Sequence, residues 1–441
     1  FYKNCWYIGV KDFVKTTRYF LRLITCVFLV GLCCFFWFSQ TTLFASTPDE
    51  WFIGPSIYHQ IDYPNTVQFY LSGFSDEDLL EVRLKYSYNS SKILSYKYAD
   101  PVSKGEIQSE VTLETSGSNY IPPGTQITYF FELTSVQGKE YQSPQIKFHY
   151  LDPSINWKST KSKHLTLIWH DRNEDDINSL IQDVNKSNLH LTKFLNIPNR
   201  LPITGVILNN RQEANEAFPK ISATASKEEL YGGFAFSDYN TFLITGLSRD
   251  GIVHESTHLL IDQSLHSPST RLPAWLNEGI AMYFENNHQT TGKILQAYSS
   301  GQLFDIRYMD TVPGKPSEVR LFYLISESFV AYLFSEYGEN KIKQLIINID
   351  SGKSVEDAIF LTYEVNLQKI QSDWLDSVSS RFENRLNVDI GSFGTSLILS
   401  GAFLIGLLFS GIGWLRYKAN GHDSDDHLRS DEYEEGYWDR K

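Results

Sequence analysis

The sequence predicts an α+β protein in which an all-β sandwich precedes a domain of mixed sheet and helices, with a transmembrane helix at each end. Three observations favour this architecture. Short runs of alternating apolar and polar residues fill positions 51 to 153, and apolar residues at helical spacing dominate from there to about residue 385. Two uncharged apolar segments, Leu23 to Phe38 and Thr395 to Leu415, lie outside these regions.

The two apolar segments predict membrane spans. Residues 1–45 combine a basic start with an apolar run, which is typical of a signal peptide or a signal anchor, and whether the segment is cleaved stays open. Residues 395–415 are long enough to cross a bilayer and are followed by basic residues. This arrangement predicts a protein of the cell membrane, with residues 46–390 outside and both ends in the cytoplasm unless the signal segment is cleaved. Residues 416–441 form an acidic tail that we expect to be cytoplasmic and disordered.

Charge and cysteine usage exclude one class of partner and one kind of metal ligand. The chain carries 39 Lys and Arg against 52 Asp and Glu, a formal net charge of -13 at pH 7, which argues against nucleic acid as the main partner. All four cysteines fall within the first 34 residues, so a metal bound further along the chain must be held by histidines and carboxylates. The composition leaves the oligomeric state open.

Residues 46–153 are predicted to form a small antiparallel β-sandwich of the immunoglobulin-like type. Turn signals such as S-G, P-P-G and Q-G separate its short alternating runs. The region holds no cluster of His, Cys or paired acids, which favours a spacer or an interaction module. Carbohydrate binding is a weaker alternative, because tyrosines are ordinary strand residues. The predicted strands are 67–71, 81–88, 126–133 and 145–150.

Residues 154–388 are predicted to form one domain, with a sheet and metal-binding helices up to about residue 290 and a helical subdomain after it. A polar loop is expected beyond the metal-binding helices. Gly232 and Gly233 stand in a predicted hairpin, where they would let a substrate backbone approach closely or simply form a bulge or a turn. The predicted strands are 164–170, 203–208 and a strand or hairpin at 231–245, and the predicted helices are 177–195, 213–218, 319–337, 342–349, 355–363 and 367–382.

The stretch G-I-V-H-E-S-T-H predicts a metal site. His254 and His258 are four residues apart, so on a helix both imidazoles leave the same face and can bind one ion. A lone His or Glu is far more often an ordinary core or surface residue, but Glu278 in L-P-A-W-L-N-E-G-I-A supplies a third ligand, and Gly279 would let its helix lie close to the first. Three ligands and one open position are typical of catalytic zinc. Glu255 would then act as general base on zinc-activated water.

Together these two motifs resemble the gluzincin zinc metallopeptidases, and most closely the peptidase MA-like proteins. The resemblance covers about residues 160 to 385. It implies a zincin-type fold of mixed sheet followed by helices, Zn2+ as the cofactor and a peptide or protein substrate, in an extracytoplasmic domain that often follows a β-sandwich. The metzincin continuation is absent, since Ile261 and Ser264 stand where that group has Gly and His.

Three further positions bear on the chemistry. Tyr323, in Y-L-I-S-E-S-F, resembles the tyrosine with which the related aminopeptidase N family stabilises the oxyanion, although it fits an aromatic core position equally well. The same aminopeptidases hold the substrate amine with a glutamate in G-x-M-E-N, whereas residues 232–236 read G-G-F-A-F and contain no acid. Asp262, one turn after His258, either orients a ligand or is solvated.

The sequence therefore predicts a membrane-anchored, extracytoplasmic zinc metallopeptidase that is an endopeptidase rather than an aminopeptidase. One alternative is a surface interaction protein without turnover, against which the intact Glu255 argues. The other is a zinc hydrolase acting on a bond other than a peptide, and nothing in the residues rejects it.

Overall fold

The computed structural model describes residues 51–380, apart from residues 90, 92, 101–102, 220–231 and 286–290. The predicted apolar segments near the two ends and the acidic tail lie outside the described residues. Within them, N-terminal β-sheets are followed by a mixed sheet and then by helices, which confirms the α+β class.

No helix in the described part of the chain is long and apolar enough to cross a membrane. The helices Glu174–Phe194, of 21 residues, and Pro316–Tyr337, of 22 residues, reach the necessary length, but charged side chains interrupt both. The expected location in the cell membrane, with the middle of the chain outside and both ends in the cytoplasm, is corrected by this finding.

The first eight strands form two antiparallel sheets around a common apolar core. One sheet has the order β1-β2-β5, and the other has the order β4-β3-β6-β7 with β8 also paired to β6. The strands are β1 (Phe52–Asp62), β2 (Thr66–Ser75), β3 (Leu79–Tyr88), β4 (Ser95–Ala99), β5 (Gly105–Glu114), β6 (Gln126–Ser135), β7 (Glu140–Gln142) and β8 (Ile146–His149).

Alternation of side chains explains why these segments are strands. In β2, Val67, Phe69 and Leu71 are buried while the residues between them are not, as expected when successive side chains leave opposite faces. The four strands predicted in this region lie at β2, β3, β6 and β8. Two long strands, β1 and β5, escaped prediction because Gly54-Pro55 breaks the first pattern and polar residues outnumber apolar ones in the second.

A third sheet, of five strands, follows in the order β12-β13-β11-β10-β9. Its three central strands are parallel, and β9 and β12 pair antiparallel at the two edges. The predicted hairpin is the pair β12 and β13, so β12 bonds to β13 on one side and presents its other edge without a strand partner among the described residues. The strands are β9 (Lys158–Ser162), β10 (Leu165–Trp169), β11 (Ile203–Leu208), β12 (Gly233–Phe236) and β13 (Thr241–Thr245).

Helices make up most of the remainder and share one large core with the third sheet. A helix also covers residues 367–380. Part of the predicted polar loop is helical instead. Ile294 and Ala297 give this helix a short buried face, but the segment contains too few apolar residues for a helical pattern to be recognised in the sequence. The helices are α1 (Glu174–Phe194), α2 (Arg211–Ala217), α3 (Arg249–Ser264), α4 (Ala274–Glu285), α5 (Thr291–Ser299), α6 (Pro316–Tyr337), α7 (Glu339–Asp350) and α8 (Val355–Tyr363).

Gly279 allows α4 to lie directly on α6. A Cβ atom on Gly279 would lie 2.5 Å from the carbonyl oxygen of Ser326 and would also overlap the side chain of Val330. A close helix contact was predicted at this glycine, but the partner is α6 rather than the histidine-bearing helix α3. The depth of α4 in the core is therefore set by the absence of a side chain at this position.

We predict that Gly279→Ala destabilises the protein by about 1–3 kcal/mol, because the added methyl group meets backbone that cannot move aside alone. Gly292→Ala is the matched control: it lies in α5, and a Cβ there would have no neighbour within 4 Å. Urea unfolding followed by tryptophan fluorescence measures both variants. Equal midpoints for the two variants would contradict the tight contact.

Candidate metal centre

Helix α3 carries the two predicted histidines on one face. Ser248 begins the helix, and its hydroxyl accepts a hydrogen bond from the amide of Gly251 at 3.1 Å. His254 and His258 follow one turn apart, with ring centroids separated by 4.7 Å. A Cβ on Gly251 would overlap Ile244 of β13, so the start of the helix lies tightly against the sheet. Sheet contact and capping together fix where the imidazoles stand.

Glu278 of α4 meets both imidazoles. Its Oε2 lies 3.3 Å from Nε2 of His254 and 3.5 Å from Nε2 of His258. Each of the three residues offers a ligand atom within 4.8 Å of the other two. Ligand atoms about 2.0–2.1 Å from a tetrahedral Zn2+ are themselves about 3.4 Å apart, so these two distances match the edges of such a site.

The electrostatics of the three groups also fit a cation. Although burial acts to raise it, the two imidazoles hold the pKa of Glu278 well below its usual range. Burial acts to lower the pKa of both histidines, yet carboxylates outweigh it and raise the pKa of His254 and of His258. Oε2 of Glu278 is buried and has no hydrogen bond of good geometry among the described residues. Two nitrogens and one buried carboxylate oxygen therefore converge as a donor set that zinc accepts.

Glu285 is a further residue of the candidate site, which the sequence analysis missed. Its Oε1 contacts Nδ1 of His254, the nitrogen that faces away from Glu278. Glu285 follows Glu278 by seven residues, which is two turns of α4, so the shared helix face was the available signal. Asp262, considered earlier for such a role, instead accepts a hydrogen bond from the hydroxyl of Ser237. A carboxylate on the outer nitrogen fixes the tautomer and the orientation of a ligand histidine.

Glu255 is buried beside the two histidines and against strand β12. Burial raises the pKa of its carboxyl, and the neighbouring imidazoles oppose that rise. A Cβ on Gly233 would lie only 2.6 Å from Oε1 of Glu255 and 2.7 Å from the carbonyl oxygen of Leu243. The glycine therefore allows the carboxylate to lie next to the backbone of the edge strand.

One cavity of about 750 Å³ joins these groups. Its wall includes the two histidines, Glu255 and Glu278, together with the strand residues Gly232 to Ala235. Tyr323 of α6, the predicted oxyanion-stabilising residue, lines the same cavity and is partly exposed. The structure thus brings all five predicted site residues to a single cleft, along which β12 presents the edge that has no strand partner among the described residues.

Comparison with known proteins agrees with this geometry. Residues 188–380, which include α3, α4 and α6, match the sequence profile of the Peptidase MA superfamily. The resemblance to gluzincin peptidases read from the motifs is thereby confirmed, and the match supports a peptidase. No curated protein matches the chain.

Solved structures add only remote likenesses. An aminopeptidase N family protein from Idiomarina loihiensis is 10% identical, with 69% of each chain covered and a TM-score of 0.29. A polysaccharide deacetylase from Bacillus cereus is 7% identical over 38% of this chain and 56% of that one, with a TM-score of 0.19. A purple acid phosphatase from yellow lupin seeds is 10% identical over 44% of this chain and 35% of that one, with a TM-score of 0.18. TM-scores this far below 0.5 do not establish a shared fold.

We predict that Glu285→Gln weakens divalent metal binding about 10- to 100-fold, because the variant removes the negative charge that orients and polarises His254. Competition with a chromophoric chelator measures the affinity for Zn2+. Glu339→Gln is the matched control, since Glu339 contacts an exposed histidine, His190, at 3.2 Å on a different surface. Equal affinities for the two variants would remove Glu285 from the metal centre.

We predict that the affinity for Zn2+ rises with pH across the neutral range. Because the pKa of His254 and of His258 is raised, these imidazoles stay protonated in the metal-free protein at pH values where a free imidazole would be neutral. A metal ion must displace these protons in order to bind. Binding at about pH 8 should therefore be tighter than at about pH 6, with protons released into weakly buffered solution. Affinity that stays constant between these two conditions would contradict the coupling.

Proposed function

We propose that this protein is a zinc-dependent metallopeptidase that hydrolyses internal peptide bonds. The observation that carries the proposal is the convergence of His254, His258 and Glu278 beside a buried Glu255, in a cavity lined by the edge of β12 that no described strand occupies. The superfamily match over residues 188–380 supports the same class of reaction.

Two carboxylates in the site would have different tasks because their surroundings differ. Glu278, held ionised by the imidazoles, would bind the metal with His254 and His258. When bound, Zn2+ supplies the Lewis acidity that makes water a nucleophile near neutral pH. Glu255 would accept the proton of that water and deliver it to the leaving amine. Burial raises the pKa of its carboxyl, which favours the uptake of a proton.

Tyr323 would act on the substrate rather than on the metal. Its position in the cavity wall allows the phenol to donate a hydrogen bond to the negative charge that develops on the attacked carbonyl oxygen. The helix that carries it, α6, also packs against Gly279, the residue after Glu278. Tyr323 and the third ligand are therefore placed by the same helix contact.

Strand β12 would bind the substrate backbone. It is antiparallel to β13, and an extended peptide added to the edge that no described strand occupies would gain main-chain hydrogen bonds. Residues 232–236 provide no acidic side chain to hold a substrate amine, which favours cleavage within a peptide over removal of its first residue. No Lys or Arg stands among the described residues that line the cavity, so a terminal carboxylate also lacks a cationic partner there.

We predict that Glu255→Gln lowers kcat about 10²- to 10⁴-fold while zinc stays bound, because the amide keeps the shape of the side chain but cannot take up a proton. Turnover of internally quenched peptides with blocked ends, measured with and without chelator, gives the rate and the metal dependence together. Glu356→Gln, at an exposed position of α8, is the control and should behave as wild type.

The same assay separates the alternatives. Cleavage of blocked peptides that chelator abolishes and Zn2+ restores supports the endopeptidase. Cleavage only of peptides with a free amine would replace it with an aminopeptidase. A zinc-loaded protein that cleaves no member of a mixed peptide library would favour an interaction protein or hydrolysis of another bond, and unchanged turnover in Glu255→Gln would remove the proposed base.

A further inference from the structure

The turn between β12 and β13 is attached to the metal helix. It runs over residues 237–240 as a short 3-10 turn that ends at Asn240, with φ of 43°. The hydroxyl of Ser237 donates to Asp262, and Nε2 of Gln263 donates to Oδ1 of Asn240 at 2.7 Å. Asp262 and Gln263 follow His258 on α3 by four and five residues. One side of the turn is therefore held by the helix that carries the candidate ligands.

The β-sandwich holds the same turn from another side. Nδ2 of Asn89 donates to the carbonyl oxygen of Tyr239, and the ring of Tyr88 lies against that of Tyr239 with centroids 5.2 Å apart. Oδ1 of Asn89 accepts from the amide of Gln126 at 2.8 Å, so the asparagine is itself fixed to strand β6. Asn89 thus joins the sandwich to the turn by side-chain hydrogen bonds, and Tyr88 adds a ring contact.

A second contact reaches the end of β12. The ring of Tyr120 packs against Phe236, the last residue of β12, with centroids 5.6 Å apart. The hydroxyl of Tyr120 donates to the carbonyl oxygen of Ala217 at 2.6 Å, which anchors this ring to the end of α2. The sandwich therefore contacts both the strand end and the turn that follows it.

A strand as short as β12 needs such support. It has four residues, pairs only with β13 among the described residues, and has Gly232 just before it and Gly233 as its first residue. Short edge segments of this kind have little stability of their own and open locally. If the strand were loosely held, ordering it would cost free energy and so weaken the binding of a peptide.

We propose that the β-sandwich positions the substrate-binding strand of the peptidase site and that Asn89 is the positioning residue. This inference rests on the proposed function, because it assigns the sandwich a role in binding the peptide substrate. Contacts from α3 and from Asn89 hold the turn together, so the edge of β12 is ordered before a peptide arrives. The sandwich is then part of the catalytic unit rather than a spacer.

The test compares Asn89→Gly with Asn196→Gly in the full chain. Both asparagines have a positive φ, 48° and 55°, so glycine keeps the backbone conformation at each site, and Asn196 is exposed and lies after α1. Asn89→Gly should raise KM for a blocked peptide by about five- to tenfold with kcat nearly unchanged, the pattern expected when uniform substrate binding is lost. Its affinity for Zn2+ should equal that of wild type.

Hydrogen exchange gives a readout that does not depend on activity. In Asn89→Gly the amides of residues 233–236 should exchange about tenfold faster or more, while those of β2 stay unchanged. Asn89→Asp is the second variant: it keeps the acceptor for Gln126 but loses the donor to Tyr239, and it should show the same changes in KM and exchange. The Asn196→Gly control should show neither change.

Two results would overturn the inference. In the first, Asn89→Gly shows the same hydrogen exchange in β12 and the same KM as the Asn196→Gly control. In the second, Asn89→Gly loses kcat, zinc affinity and the protection of β2 amides from hydrogen exchange together, which would mean general destabilisation. If the wild-type protein binds zinc but cleaves no peptide, the proposed function fails, and the exchange comparison still decides whether Asn89 holds the strand.

Discussion

A carboxylate buried between two imidazoles is the interaction on which the rest of the structure depends. Removing an ionised carboxyl from water costs several kcal/mol unless charge and hydrogen bonds compensate it. Glu278 meets Nε2 of His254 and Nε2 of His258 within 3.5 Å, so the three groups stabilise one another only if both helices hold their positions. A divalent cation at their meeting point would satisfy all three donors at once.

Small residues at helix contacts make this meeting possible. Gly251 allows α3 to lie against Ile244 of the sheet, and Gly279 allows α4 to lie against the backbone of α6. Each glycine stands within three residues of a candidate ligand, so a small shift at either contact would move a ligand atom by a similar amount. Tight packing of this kind transmits displacement rather than absorbing it, which is why the positions of the donors depend on the core beneath them.

The sequence could predict those features that depend on residues close to one another along the chain. The four-residue spacing of His254 and His258 and the apolar run of Ile203–Leu208 are local patterns, and both lie on the elements predicted for them. Gly105–Glu114 was missed, because a strand with one solvated face and few apolar residues has no distinctive local pattern. Asn89 was beyond reach for a different reason: it contacts Tyr239 across 150 positions, and no spacing rule reports a contact made by folding.

Gly233 shows how the candidate base and the strand edge depend on one position. The sequence allowed two interpretations of this glycine, a close approach of the substrate backbone and a bulge or turn. In the structure, Gly233 is in regular pairing with Ile244 of β13. Its nearest side-chain neighbour is the carboxylate of Glu255, so any side chain here would displace either that carboxylate or the carbonyl of Leu243. A peptide paired with this edge would therefore run beside Glu255 without any further movement of the protein. The missing side chain, rather than flexibility of the backbone, is what allows the carboxylate of Glu255 to lie next to the edge of β12.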